Sequence, residues 1–145
     1  MVGFTNFNYR SKRIGLIMAE ISNYLENALI NGTIRGTSYT APTTVYVGLY
    51  TSDPTDAGTG TEVSGGSYAR QSVTFAAPAD GLSASDADIT FPQATATWGT
   101  VGWIGIEDAV TGGNLLYHTA LDAAKVIETG DIFKIASTNL TVQLS

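Results

Sequence analysis

From residue 43 onward the chain is a succession of short runs rich in Val, Ile, Thr and aromatic residues, each closed by a cluster of Gly, Asp, Pro or Ser. That punctuation leaves no room for long helices and is how β-sandwiches and barrels read. Strands are predicted at residues 43–51, 68–75, 87–91, 101–107, 114–120, 131–136 and 140–144. In the first, Val45, Val47 and Leu49 alternate with Tyr46, Gly48 and Tyr50. Both faces can therefore be covered, which suits an inner strand or a subunit interface. Glu107-Asp108 and Thr111-Gly112-Gly113-Asn114 fall between two β runs. The glycines permit the positive φ of a tight loop, so residues 101–120 are expected to form a hairpin. Gly130-Asp131 offers another tight connection, and residues 52–66 read as a polar surface loop. Twenty threonines and 16 glycines agree with this picture, because threonine suits half-exposed strands and glycine their turns.

The first 42 residues differ. Ile21, Tyr24, Leu25, Ala28 and Leu29 fall at helical spacing, and Asn31-Gly32 supplies a stop. One amphipathic helix over about residues 20–31 follows. Its apolar stripe is expected to pack on the domain's own sheet, with helix-to-helix contact in an oligomer as the alternative. Residues 1–17 lack periodicity and carry Phe4, Phe7 and Tyr9, so they read as an extended arm. The expected organisation is this arm followed by a single domain over residues 18–145. The fold class is mainly β: an antiparallel, jelly-roll-like sandwich with one N-terminal helix and an extended arm.

Length and charge narrow the function. At 145 residues the chain can bury one core but not two. Hydrophobic runs such as residues 14–18 break within a few positions, far short of the roughly 18 residues a helical span needs. A soluble protein is expected, made in the cytoplasm, with neither membrane association nor secretion. The chain has no cysteine, which excludes disulfides, thiolate nucleophiles and cysteine metal sites. Residues 1–17 hold Arg10, Lys12 and Arg13 with no acid, a charge of +3, whereas the remainder holds four basic and thirteen acidic residues, a charge of −9. The acidic body repels nucleic acid and anionic lipid, and three cations make no nucleic-acid footprint.

Candidate chemistry is sparse. His118 is the only histidine, set within a predicted strand and without a sequence companion for acid–base or metal work; a structural or exposed role is expected. Asp53, Asp56 and Glu62 could offer oxygen ligands to calcium, but their spacing fits no EF-hand loop, and loop solvation is the expected role. Glu107 and Asp108, adjacent on a strand, point to opposite faces and cannot act as a glycosidase pair, so turn chemistry is expected. Gly58, Gly60, Gly65 and Gly66 make no phosphate loop, since no Lys-Ser/Thr follows. Trp98 and Trp103 are expected to pack in the core rather than stack on sugars. No catalytic residue, metal or cofactor is expected.

Five segments carry a resemblance: YVGLYTSDP at 46–54, GGSYARQ at 65–71, ITFP followed by AT and WG over 89–99, TGGNLLYH at 111–118, and Gly130-Asp131. Together they resemble the small virion structural proteins of tailed bacteriophages, called capsid cement or tail-fibre-like proteins. The resemblance spans residues 18–144; the seventeen residues before it are additional. It implies a non-enzymatic β-sandwich that works by geometry in trimers or other small symmetric assemblies. The first expectation is a capsid cement or decoration protein on the outer surface of the head, clamping the phage major capsid protein through its body and its arm. An arm that orders on a partner can wrap a surface and add strand hydrogen bonds, so Phe4, Phe7, Tyr9, Arg10, Lys12 and Arg13 are the candidate partner-binding residues. The alternative is a tail-fibre or tail-tip component meeting the host surface, with Trp103, Tyr46 and Tyr50 as an aromatic face.

Overall fold

The computed structural model describes residues 11–14 and 17–144, with side chains from residue 18. In chain order the elements are β1 (Ser11–Ile14), β2 (Ile17–Ile21), α1 (Asn23–Ile34), β3 (Val45–Tyr50), β4 (Gln71–Val73), β5 (Leu82–Ala84), β6 (Ile89–Thr90), β7 (Gly99–Glu107), β8 (Leu115–Ile127), β9 (Ile132–Ile135) and β10 (Leu140–Gln143). The protein is mainly β, as expected. A seven-stranded sheet runs β4-β3-β7-β8-β2-β10-β5, and a three-stranded sheet runs β1-β9-β6.

The alternation read in the sequence becomes the two faces of the large sheet. Val47, Leu49, Ile104 and Ile106 point to one side and are buried against Ile89, Phe91, Phe133 and Ile135 from the small sheet and its flank. Their removal from water is the main driving force for the sandwich. An aromatic cluster fills its middle: Phe91 meets Phe133 edge-on at 5.6 Å, and Trp98 meets Tyr68 edge-on at 5.5 Å. The Trp98 indole N–H donates to the Gly66 carbonyl at 2.9 Å, which satisfies its one polar atom inside the core. Trp103, in contrast, is half-buried on the other face.

The expected hairpin is present as β7 and β8, antiparallel from Gly99↔Ile127 to Glu107↔Leu115. Asp108 closes its loop by accepting the Asn114 backbone N–H at 2.7 Å and side-chain amide at 2.8 Å. Gly112 and Gly113 adopt positive φ there. Two pairings are parallel rather than antiparallel: β1 with β9, and β2 with β10. They arise because the N-terminal strands enter beside the C-terminal ones, with no hairpin to reverse direction.

The helix begins later and ends later than expected. Glu20 and Ile21 are taken up by pairing with β8. Ser22 then caps α1, its Oγ accepting the Leu25 N–H at 3.3 Å and donating to the Leu115 carbonyl at 2.6 Å. Asn31-Gly32 does not stop the helix; Gly36, at φ 68°, reverses the chain so that the Arg35 and Thr37 N–H groups both reach the Asn31 carbonyl. Of the predicted stripe only Leu25 is fully buried and Tyr24 is exposed; Ile30 and Ile34, outside the stripe, are exposed as well, Ile34 by 79%. No helix among the described residues is long and apolar enough to cross a membrane.

Of the six candidate partner-binding residues, Phe4, Phe7, Tyr9 and Arg10 lie outside the described residues. Lys12 and Arg13 sit in β1, opposite Phe133 and Lys134 of β9.

Candidate functional site

The face of the large sheet that turns away from the core carries a row set by register. Gly48 of β3 lies opposite Gly105 of β7, Gly105 opposite His118 of β8, and His118 opposite Glu20 of β2. The two glycines leave part of this face bare, and polar side chains lie on the space. A Cβ at Gly105 would meet Leu115 Cδ1 at 2.7 Å, Glu107 Oε1 at 2.8 Å and Tyr50 Cε2 at 3.0 Å. One at Gly48 would meet Glu62 Oε1 at 3.0 Å.

Over these glycines Arg70 links two glutamates. Its Nε and Nη2 each donate to the Glu62 carboxylate at 2.8 Å, and its Nη1 lies 3.9 Å from Glu107 Oε2. The same Nη1 donates to the carbonyls of Ala109 and Gly112 at 2.8 Å, which ties in the β7–β8 loop. Tyr68 donates to Glu62 at 2.7 Å while its oxygen accepts the Leu49 N–H at 2.9 Å. Tyr50 donates to Glu107. The Arg70 and Glu107 side chains are only 8% and 3% exposed.

Burial dominates the electrostatics. It pushes the Glu107 carboxyl above its ordinary value, against the Tyr50 hydrogen bond and the Arg70 charge, which pull it down. Burial, then the bonds to Glu107 and Glu62, hold the hydroxyls of Tyr50 and Tyr68 well above the usual phenol range. The Glu62 hydrogen bonds raise Arg70 further still. Both tyrosines therefore remain donors and Arg70 remains a cation at any ordinary pH. Each carboxylate is engaged by a fixed donor, an arrangement suited to holding two loops in place. A cleft of about 480 Å³ opens above the network, walled by Tyr24 and Asn23 of α1, by Asp56, and by Asn114.

These positions correct several sequence-based expectations. Glu107 is not a turn residue: facing opposite to Asp108, as the strand geometry required, it lies buried against Tyr50 and Arg70. Glu62 is bound by Arg70 rather than solvated. Asp53 does serve its turn, accepting the Thr55 N–H at 2.9 Å. Asp56 instead reaches His118, whose Nε2 lies 2.9 Å from its Oδ1. His118 thus has a fixed companion after all. Tyr50 is buried, so Trp103, Tyr46 and Tyr50 do not form an exposed aromatic face. The readable sign of the cleft was the pair of glycines inside strand patterns, which mark a close approach of other groups to the backbone.

The loop that delivers Asp56 and Glu62 depends on Gly60, where a Cβ would lie 2.6 Å from Pro54 Cα and 2.8 Å from the Ser52 carbonyl oxygen. Backbone contacts of that kind cannot rotate away. Gly60→Ala is expected to lower stability by about 2–3 kcal/mol, measured by urea unfolding, and to speed amide exchange at Thr61 and Val63. A change below about 0.5 kcal/mol, the range of ordinary surface substitutions, would show that the loop adapts.

Residues 20–143 match the family described as podophage GP4 fiber I protein gp80. The chain belongs to that family. It is accordingly a phage virion structural protein, as the sequence resemblance implied. The segment matched to gp80 runs from the last two residues of β2 to the end of β10, and it includes every residue of the cleft. Strand β1 and the first three residues of β2 precede the gp80 match, yet pair with β9 and β10 inside it. No curated protein matches the chain.

Proposed function

We propose that this gp80-family chain is a non-enzymatic fibre component of a tailed-phage particle, placed on the tail side where it contacts the host surface. The observation that carries this reading is the fibre family's match across residues 20–143. It favours the tail-fibre alternative over a cement protein that clamps the major capsid protein on the head. The cleft agrees with a structural role, because its two glutamates are bound by Arg70 and Tyr50 rather than presented to a substrate. Self-assembly is part of the proposal, with a homotrimer as the expected unit. The exposed Tyr24, Ile30 and Ile34 on α1 give a neighbouring copy an apolar surface to cover. With a −9 body, nucleic acid is not an expected partner.

Electron cryo-microscopy of intact particles tests the placement. A few copies on the tail, with the cleft-bearing domain outward, are expected. Many copies at threefold positions on the head, with residues 1–17 laid across neighbouring capsid subunits, would overturn the fibre reading in favour of cement.

A further inference from the structure

His118 lies at the meeting point of three chain segments. Register places Glu20 of β2 directly opposite it. The 52–66 loop brings Asp56 to its Nε2 at 2.9 Å, and Asp53 stands 3.8 Å from its Nδ1. One donor atom from each of Glu20, Asp56 and His118 falls within 4.8 Å of the other two. The imidazole is 7% exposed, whereas Glu20, Asp53 and Asp56 all reach solvent. A buried nitrogen thus forms the base of a site whose mouth is open and lined by carboxylates.

We propose that His118, Asp56 and Glu20 bind a first-row divalent transition-metal ion. A His–Asp hydrogen bond that merely staples the loop needs Asp56 alone. It leaves unexplained why Glu20 converges on the same ring. Among the described residues no Lys or Arg pairs with Glu20, Asp53 or Asp56. Three negative charges beside one imidazole repel one another, and a dication neutralises most of that charge.

The donor set selects the ion class. One imidazole nitrogen with two carboxylate oxygens suits Zn²⁺, Mn²⁺ or Fe²⁺, whereas Ca²⁺ takes six to eight oxygens and Mg²⁺ demands an octahedron of them. Nε2 faces Asp56 and so becomes the ligand atom. Tetrahedral bonds of about 2.0 Å set donor atoms about 3.3 Å apart. The Nε2–Asp56 approach opens by a few tenths of an ångström to reach this, and the exposed Glu20 side chain swings in. The remaining position stays open to water. Bound metal would clamp the loop carrying Asp56 and Glu62 onto β2 and β8, stiffening one wall of the cleft.

Calorimetric titration of the chelator-stripped full chain with ZnCl₂, MnCl₂ and CaCl₂, alongside thermal unfolding, tests the site. One Zn²⁺ per chain is expected, with Ca²⁺ at least about 100-fold weaker and a zinc-dependent rise in Tm. Glu20→Gln and Asp56→Asn should each weaken zinc by at least about 10-fold, and His118→Gln should abolish it. Glu20 is exposed, so its variant keeps the test valid if the buried histidine cannot be replaced without unfolding. Absence of stoichiometric zinc, equal affinity for calcium, or wild-type binding in both carboxylate variants would overturn the proposal.

Discussion

Arg70→Met is expected to cost about 3–5 kcal/mol of folding stability, the range for breaking a buried ion pair from one side. Met keeps much of the side chain's length but none of its five donors. Glu107, 3% exposed, then keeps only its Tyr50 bond, and Glu62 only its Tyr68 bond. The carbonyls of Ala109 and Gly112 lose a donor as well. Urea unfolding reads the loss, and its pH dependence identifies the cause. Glu107 already titrates above its ordinary value in the folded chain. Between the unfolded value, about 4.3, and the folded one, the native state holds the proton more tightly. Stability contributed by this group is therefore complete below the unfolded value and lost as pH rises through the folded value. Arg70 pulls the folded value down, so removing it extends that window upward. The deficit of Arg70→Met should be smallest near pH 4 and largest at neutrality. Adding Glu107→Gln should restore about 1 kcal/mol or more at neutral pH, because it removes the unpaired charge. A pH-independent deficit, or no recovery in the double variant, would place the loss in packing rather than in charge.

Phe133→Ala should cost a similar amount, about 3–5 kcal/mol, by a different route. Phe133 is fully buried on β9, edge-on to Phe91, and its carbonyl accepts the Phe91 N–H at 3.0 Å. The cavity lies where the small sheet meets the large one, and β9 is the strand that both β1 and β6 depend on. Amides of residues 11–14 should lose protection from exchange before those of β7, which is paired on both sides by β3 and β8. If β1 and β7 lost protection together, the two sheets would open as one unit. Ile34→Ala, on the exposed end of α1, provides the contrast: a change within about 0.5 kcal/mol in the free chain.

The seven strands legible in the sequence are all present, because alternation and turn residues are local signals. The β7–β8 hairpin was legible for the same reason. Strands β1 and β2 were not: Ser-Lys-Arg-Ile reads as a basic arm, and the partners lie far along the chain, β9 for β1 and β10 and β8 for β2. Parallel pairing leaves no turn to recognise. The end of β8 escaped notice because Asp122-Ala123-Ala124-Lys125 has little β character; pairing with the start of β7 imposes it. The cleft was legible only in pieces. That Glu107 and Asp108 face opposite ways was correct, and it was this geometry that sent Glu107 inward, where Arg70 and Tyr50 arrive from other segments. His118 looked solitary for the same reason: Asp56 and Glu20 reach it through the fold, not along the chain.

Strand β2 lies between β8 and β10, and this position sets a timetable. Residues 17–21 are translated well before either neighbour. At about 5–20 residues per second, residue 143 follows some 6–25 s later. Until then the large sheet lacks its β10 seam, and contacts so distant along the chain make closure slow. Surfaces that depend on the closed sheet thus appear only after residue 143 has been made, so the order of synthesis delays any contact they make.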